Sequence, residues 1–349
     1  MIIGRPCIRE TLEPMRTGSE LNQATRPFMV EDRPRTWRLL AATICLLAAA
    51  LIGVVALPWW PAQIAASVLA GLTLVRAFIF YHDHVHGALL HDSPAGKAVM
   101  SVLGVWLLTV RSVWRETHNY HHKHNAKLIG SSIGSFPVLT VGMWRALTPA
   151  QKLAYRAVRH PVTIALGYVP VFLLGMTISP FRRDPKSHWM APVALLIHMA
   201  AATLAVHFLG WLTGLCLVVL PLVVAHGFGS YLFFAQHNFP DMQLRDRRSW
   251  DYTFAALSSS SMFDMGPIMH WFTGNIGYHH VHHLNHRIPF YRLPEAMAAL
   301  PELQNPGRTS WRPADVAACL RLALWDPEQN RMLSYAEVEG RAAEPVTST

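Results

Sequence analysis

Charge is what this sequence has least of. Asp, Glu, Lys and Arg make up 15% of its 349 residues, where soluble domains carry roughly a quarter. Hydrophobic residues make up 52%. That balance excludes an ordinary soluble domain and points to a chain built for a bilayer. Cysteine is sparse as well. Cys7, Cys45, Cys216 and Cys319 lie far apart with no Cys-x-x-Cys pair, which excludes a disulfide framework and a thiolate metal site. The net charge of +9 is not gathered into a basic stripe on a polar module, so nucleic acid is not an expected partner. It reads instead as Lys and Arg flanking membrane spans on the cytoplasmic side. No His-Glu-x-x-His motif occurs, nor the Glu-x-x-His pairs of bundle di-metal carboxylate proteins. There is no internal repeat, and the mixed polar residues 1–36 give no sign of a signal peptide.

What the chain does have is apolar runs. Residues 37–56 and 62–81 are each long enough for a helix of about 30 Å, one hydrocarbon core, and the turn between them, Leu57-Pro58-Trp59-Trp60-Pro61, is uncharged. Arg76 is the one charge of the second run and is expected to snorkel toward its end. Residues 100–110 are apolar but too short to cross, and predict an interfacial or re-entrant helix. Further runs cover 161–180, 189–209 and 211–234. The basic stretches 145–159 and 181–186 favour the inside, and the uncharged turn at Gly210-Trp211 favours the outside. The economical topology lets 161–180 dip in and return. The expected fold is therefore an all-α polytopic membrane protein with spans at 37–56, 62–81, 189–209 and 211–234. Residues 1–36 form a cytoplasmic tail, 37–330 the membrane unit, and 331–349 a polar, frayed tail. Ser310 is placed to cap a helix from about Arg312 to Trp325.

The chemistry lies in the histidines. Gly277-Tyr278-His279-His280-Val281-His282-His283 holds four imidazoles in five positions. On a helix His279, His282 and His283 stand at i, i+3 and i+4 and share a face, while His280 points about 100° away. His118, His121 and His122 repeat that spacing, His82 and His86 stand at i and i+4, and His237 lies where the last span ends. These nine imidazoles from four segments fall on one membrane side. One metal takes four to six ligands, so nine suggest two metals, and spacing alone does not choose among iron, copper, zinc and nickel. The other histidines have plainer readings. His198, His207 and His226 are expected as satisfied groups inside apolar helices. His84, His91, His124, His160, His188, His270, His280 and His286 are expected at the surface or around the ligands.

These motifs resemble those of the integral-membrane fatty acid desaturases. His82-Asp83-His84-Val85-His86 resembles that family's HxxxH box; His118-Asn119-Tyr120-His121-His122 and His279-His280-Val281-His282-His283 resemble its two HxxHH boxes. The surroundings Phe233-Phe234-Ala235-Gln236-His237-Asn238, Gly274-Asn275-Ile276-Gly277 and Leu284-Asn285-His286-Arg287-Ile288-Pro289 are similar to the bacterial acyl-lipid branch. The likeness runs from about residue 60 to 325. It implies a non-haem centre of two Fe ions held by His82, His86, His118, His121, His122, His237, His279, His282 and His283. At that centre O2 is reduced and two adjacent methylenes of a long acyl chain lose hydrogen to give a cis double bond. On this reading Asp83 and Asp251 are candidates to hold the second ring nitrogen of a ligand histidine, and Asn238 and Asn275 to hold a metal-bound water. Phe233 stands where some acyl-CoA desaturases carry an Asn one turn before the lone histidine, so that contact does not carry over. With no His-Pro-Gly-Gly segment and no iron–sulfur cysteines, the resemblance implies a separate electron donor of ferredoxin, rubredoxin or cytochrome b5 type. Arg145, Lys152, Arg156, Arg245, Arg247 and Arg248 are candidates to steer it. The expected location is a bacterial inner membrane with the site on the cytoplasmic side. The rival readings are a related hydroxylase or ketolase acting on lipid, carotenoid or alkane, and a divalent-metal transporter. The transporter is disfavoured because the histidines sit at span ends rather than at the midplane.

Overall fold

The computed structural model describes residues 16–129 and 135–343. Cys7, the start of the N-terminal segment and residues 344–349 lie outside the described residues. Among the described residues Cys45, Cys216 and Cys319 are free thiols, as their spacing predicts.

The protein is mainly helical, and four helices are long and apolar enough to cross a membrane. Helix α1 (Arg33–Ala56) starts where the Asp32 carboxylate accepts the amide of Arg35 at 2.9 Å, with Pro34 in its first turn. Helix α2 (Trp60–His86) runs for 27 residues, roughly 40 Å at 1.5 Å per residue, which exceeds a hydrocarbon core of about 30 Å. His82 and His86 lie in its last two turns. It stops at Gly87, whose left-handed φ of +74° suits glycine. Of the spans α2 is the central one: 61% of its most apolar window is buried, against 17–33% for the others. Arg76 does not snorkel. Its side chain is 3% exposed, donates to the Thr43 hydroxyl at 3.1 Å and to the Trp271 carbonyl, and lies over the Trp271 ring at 4.1 Å. A cation so deep is kept by partners from neighbouring segments, which local sequence does not reveal.

Helices α3 (Pro94–Trp106) and α4 (Arg111–His124) meet at 87°, the geometry of a re-entrant loop or of a sharply broken span. The carbonyls freed at the bend are met by imidazoles: His198 Nε2 reaches the Trp106 oxygen and His226 Nε2 the Leu107 oxygen at 2.8 Å. Both histidines are buried; His198 is satisfied at both nitrogens, as expected, while His226 is bonded through Nε2 and its Nδ1 is left without a partner. His207 departs from expectation, since it lies exposed near the far end of its helix. Residues 161–183 form short helical pieces around a π-helical stretch, Tyr168–Ile178, none of spanning length. The remaining spans are α5 (Met190–Leu209) and α6 (Trp211–Ala235). Gly227 of α6 permits the 165–167 backbone to lie against it, because a Cβ there would stand 2.5 Å from the Ala165 carbonyl oxygen.

A short helix, α7 (His279–Leu284), carries the third histidine box. The described part of the N-terminal segment is not a loose tail. Asn22 donates to the Leu284 carbonyl at 3.0 Å, Asn285 to the Thr25 hydroxyl at 2.7 Å, and Arg16 pairs with Glu302 at 2.8 Å. The C-terminal expectation is also corrected. The helix α8 spans Pro313–Arg321, and the Ser310 hydroxyl bonds the Arg312 amide and Asp315 rather than capping it. From there a strand, β2 (Leu322–Asp326), pairs in parallel with β1 (Leu139–Thr140) and antiparallel with β3 (Arg331–Ser334), and α9 (Tyr335–Ala343) follows. Four of the five β2 residues are buried, as are Met332 and Leu333 of β3, while 327–331 between them are exposed.

Candidate metal centre

Four segments deliver the nine boxed histidines to one place. They form two groups: His82, His86, His118, His122 and His282 in one, His121, His237, His279 and His283 in the other. Within each group the ligand atoms all lie within 4.8 Å of one another. Helical geometry divides the boxes between the groups. His118 and His122, one turn apart on α4, face the five-membered group, and His121 faces the other. On α7, His282 joins the first group while His279 and His283 join the second.

The Nε2 atoms converge closely. His82–His118 is 2.8 Å, His118–His122 3.1 Å and His122–His282 3.1 Å in the first group. In the second, His121–His237 is 3.0 Å, His237–His279 2.9 Å and His279–His283 3.1 Å. Two nitrogens about 2.1 Å from a shared ion and at right angles would lie about 3.0 Å apart. Both ring nitrogens of His86 are buried without a hydrogen-bond partner. Such orphaned groups are costly unless something else satisfies them. The donor set and the orphaned nitrogens fit a pair of metal ions. Burial pushes His118, His121, His122, His279, His282 and His283 well below the usual imidazole value, helped by mutual repulsion of the imidazoles, and pushes His237 down to about 4. Neutral imidazole, the ligating form, is thereby favoured.

Groups behind the cluster orient its rings. His82 Nδ1 donates to Asp83 Oδ1 at 2.9 Å, and Asp83 Oδ2 accepts the Phe290 amide at 2.8 Å. His237 Nδ1 donates to the Ser259 carbonyl at 2.9 Å, and His121 Nδ1 shares a hydrogen bond with the Ser135 hydroxyl at 2.8 Å. Asp83 thus sits as expected, but three other candidates do not. Asp251 caps the helix Tyr252–Ser258 through the Phe254 amide and pairs with Arg245 at 3.2 Å. Asn238 is spent on Arg159 and on the carbonyls of Cys319 and Leu322. Asn275 has a left-handed φ of +56° and donates to the Phe290 carbonyl. In each case proximity in sequence to a histidine does not translate into facing it.

His280 turns outward and donates to the Leu303 carbonyl at 3.0 Å. His286 stands near the ligands, its ring centroid 4.6 Å from that of His86 and 5.1 Å from that of His122. Ser135 and Ser259 carry no sequence signal, because their roles depend on chain segments meeting in space, whereas His286 lies around the ligands, one of its two expected places. On the apolar side a cavity of about 410 Å³ reaches His118, walled by Phe78, Trp114, Met176, Ala225 and Phe233. Trp114 stacks on His118 with centroids 4.5 Å apart, and the Phe233 ring stands 4.9 Å from that of His121. The arrangement is a buried pair of imidazole clusters opening onto a mostly hydrocarbon-lined space.

Known proteins share this sequence pattern. The sequence model of the fatty acid desaturase family matches residues 58–314. A fatty acid desaturase of Bacillus subtilis (strain 168) is 29% identical over 280 residues, 79% of this chain and 78% of that one. An sn-1 oleoyl-lipid 12-desaturase of Synechocystis is 24% identical over 276 residues, 78% of this chain and 77% of that one. A chloroplastic omega-3 fatty acid desaturase of Glycine max is 27% identical over 69% of this chain and 54% of that one.

Proposed function

This chain belongs to the fatty acid desaturase family, and from that premise we propose that it is an O2-dependent acyl-lipid desaturase placing a cis double bond in a long acyl chain. The observation that carries this reading is the pair of buried histidine groups beside an apolar cavity that reaches His118. We assign His82, His86, His118, His122 and His282 to one iron and His121, His237, His279 and His283 to the other. When bound, the iron pair supplies the redox capacity to reduce O2 and to take hydrogen from unactivated methylenes. The protein's own part is placement and exclusion. Phe78, Trp114, Met176 and Phe233 offer hydrocarbon walls that take an acyl chain and keep water from the reacting carbons. Asp83, Ser135 and the Ser259 carbonyl hold the rings of His82, His121 and His237 from behind, which fixes their Nε2 atoms toward the centre. Acid–base groups have little part in such a step.

An acyl chain esterified in a membrane lipid fits this reading, since the Synechocystis relative is named for an oleoyl-lipid substrate and the cavity lies among helices of spanning length. We further place the enzyme in a bacterial inner membrane with the histidines cytoplasmic, supported by the basic residues 145–159 and 181–186. The test is expression in a bacterium supplied with ferredoxin and its reductase, followed by gas chromatography–mass spectrometry of total fatty acids. New cis-unsaturated acids are expected. Hydroxy fatty acids, or unchanged acyl lipids beside oxidised carotenoid or alkane, would overturn the assignment.

A further inference from the structure

A second recess meets the histidines from another direction. It has a volume of about 850 Å³, and its lining includes His122, His286, Tyr252, Arg26, Lys123 and Arg287, with no carboxylate. It shares no lining residue with the apolar cavity: that cavity touches His118, this recess His122, one turn further along α4. Arg26, Lys123 and Arg287 are exposed, and among the described residues none is ion-paired. Cations that merely mark one side of a membrane would be spread over its surface; these gather at a recess whose inner wall is a cluster histidine and its ring neighbour.

Of the basic residues singled out by sequence, Arg145, Arg247 and Arg248 are exposed but do not line the recess, and the other three are engaged. Arg156 is paired with Glu339, Arg245 with Asp251, and the Lys152 ammonium lies over the Trp144 ring. Desaturation needs a reductant. R–CH2–CH2–R′ gives up two hydrogens and two electrons, O2 takes four electrons, and the remaining two electrons and two protons must come from outside to yield R–CH=CH–R′ and two waters. We propose that this recess is the docking site of an acidic one-electron carrier protein, with Arg26, Lys123 and Arg287 meeting its carboxylates and His286 and His122 forming the floor toward the metals. The inference rests on the desaturase reading, which is what requires the carrier. An anionic lipid head group is the weaker fit, because the chain attached to it would have to reach a cavity that shares no wall with the recess.

The test uses the full-length, iron-loaded protein in detergent with a plant-type ferredoxin and its reductase. Charge reversal (R26E, K123E and R287E together) should raise the KM for ferredoxin by about tenfold or more, and the milder R26Q, K123Q and R287Q set by a smaller factor, since such charges act mainly on encounter. Added salt should weaken ferredoxin use by the wild type and do so less in the Gln variant. Single-turnover product formed with dithionite, and the KM for acyl lipid, should not change, which also reports that the variants are folded. An unchanged ferredoxin KM overturns the proposal, and so does a rise in the acyl-lipid KM in its place, which would mark a head-group site. A wild type that makes no unsaturated product even with dithionite would instead remove the desaturase reading, while ferredoxin binding measured without turnover would still report on the recess.

Discussion

The histidine register follows from helical geometry alone. Residues three and four apart share a face, so His279, His282 and His283 were readable as a set, and His280 was readable as the one turned away. The structure sends His280 to the Leu303 carbonyl. Replacing His86, whose ring nitrogens have no protein partner, by Ala should lower bound iron measured by inductively coupled plasma mass spectrometry. His280→Ala should retain full iron and instead lose on the order of 1–3 kcal/mol of stability from the unsatisfied carbonyl; loss of iron in His280→Ala with retention in His86→Ala would invert the assignment. Asp83→Asn keeps the shape beside His82 but weakens its orienting acceptor, and should cost about 10–100-fold in iron affinity, read by competition with a chelator. Asp251, Asn238 and Asn275 were not readable in this way. Cys319 and Phe290, which take up Asn238 and Asn275, come from elsewhere in the fold, and a single sequence holds no record of such meetings; Asp251 is taken up locally by the Phe254 amide and Arg245.

Among the elements, long apolar runs are the most legible, because a helix that must satisfy its backbone inside a bilayer has one solution. The 87° bend between α3 and α4 and the β2–β3 hairpin were less so. The bend depends on His198 and His226 arriving from other helices, and the hairpin on strand pairing with β1. The packing of 165–167 on α6 is checked by Gly227→Ala. Its methyl would press on the Ala165 backbone, which cannot rotate aside as a side chain would. A loss of about 1–3 kcal/mol is expected, seen as a lower midpoint of thermal unfolding in detergent. The N-terminal segment has an acid-sensitive fastening. Arg16 holds the Glu302 carboxyl down to about 2 in the folded protein, from an ordinary 4.5. Folding then favours the ionised form, so the contribution is present above about pH 4.5 and is lost as pH falls toward 2. Hydrogen exchange across residues 18–29 should quicken over that window, and Glu302→Gln should remove the pH dependence.

For the molecule as a whole, counting runs and weighing flanking charge yields four spans and one side for all the boxes. Reporter fusions at Arg145 and Arg183 should both give a cytoplasmic signal, and an outside signal at Arg183 would mean that 161–183 crosses. The described N-terminal residues and 331–343 belong to the body of the protein rather than to tails, something their polar composition concealed. The two cavities that approach the cluster through His118 and His122 have a kinetic meaning. Guests that use separate doors need not wait for each other. On the proposed assignments, reduction can proceed with the acyl chain already seated, and a spent carrier can be exchanged for a fresh one without ejecting it. Turnover then runs through a ternary complex, giving intersecting rather than parallel double-reciprocal lines when carrier and lipid are varied against each other.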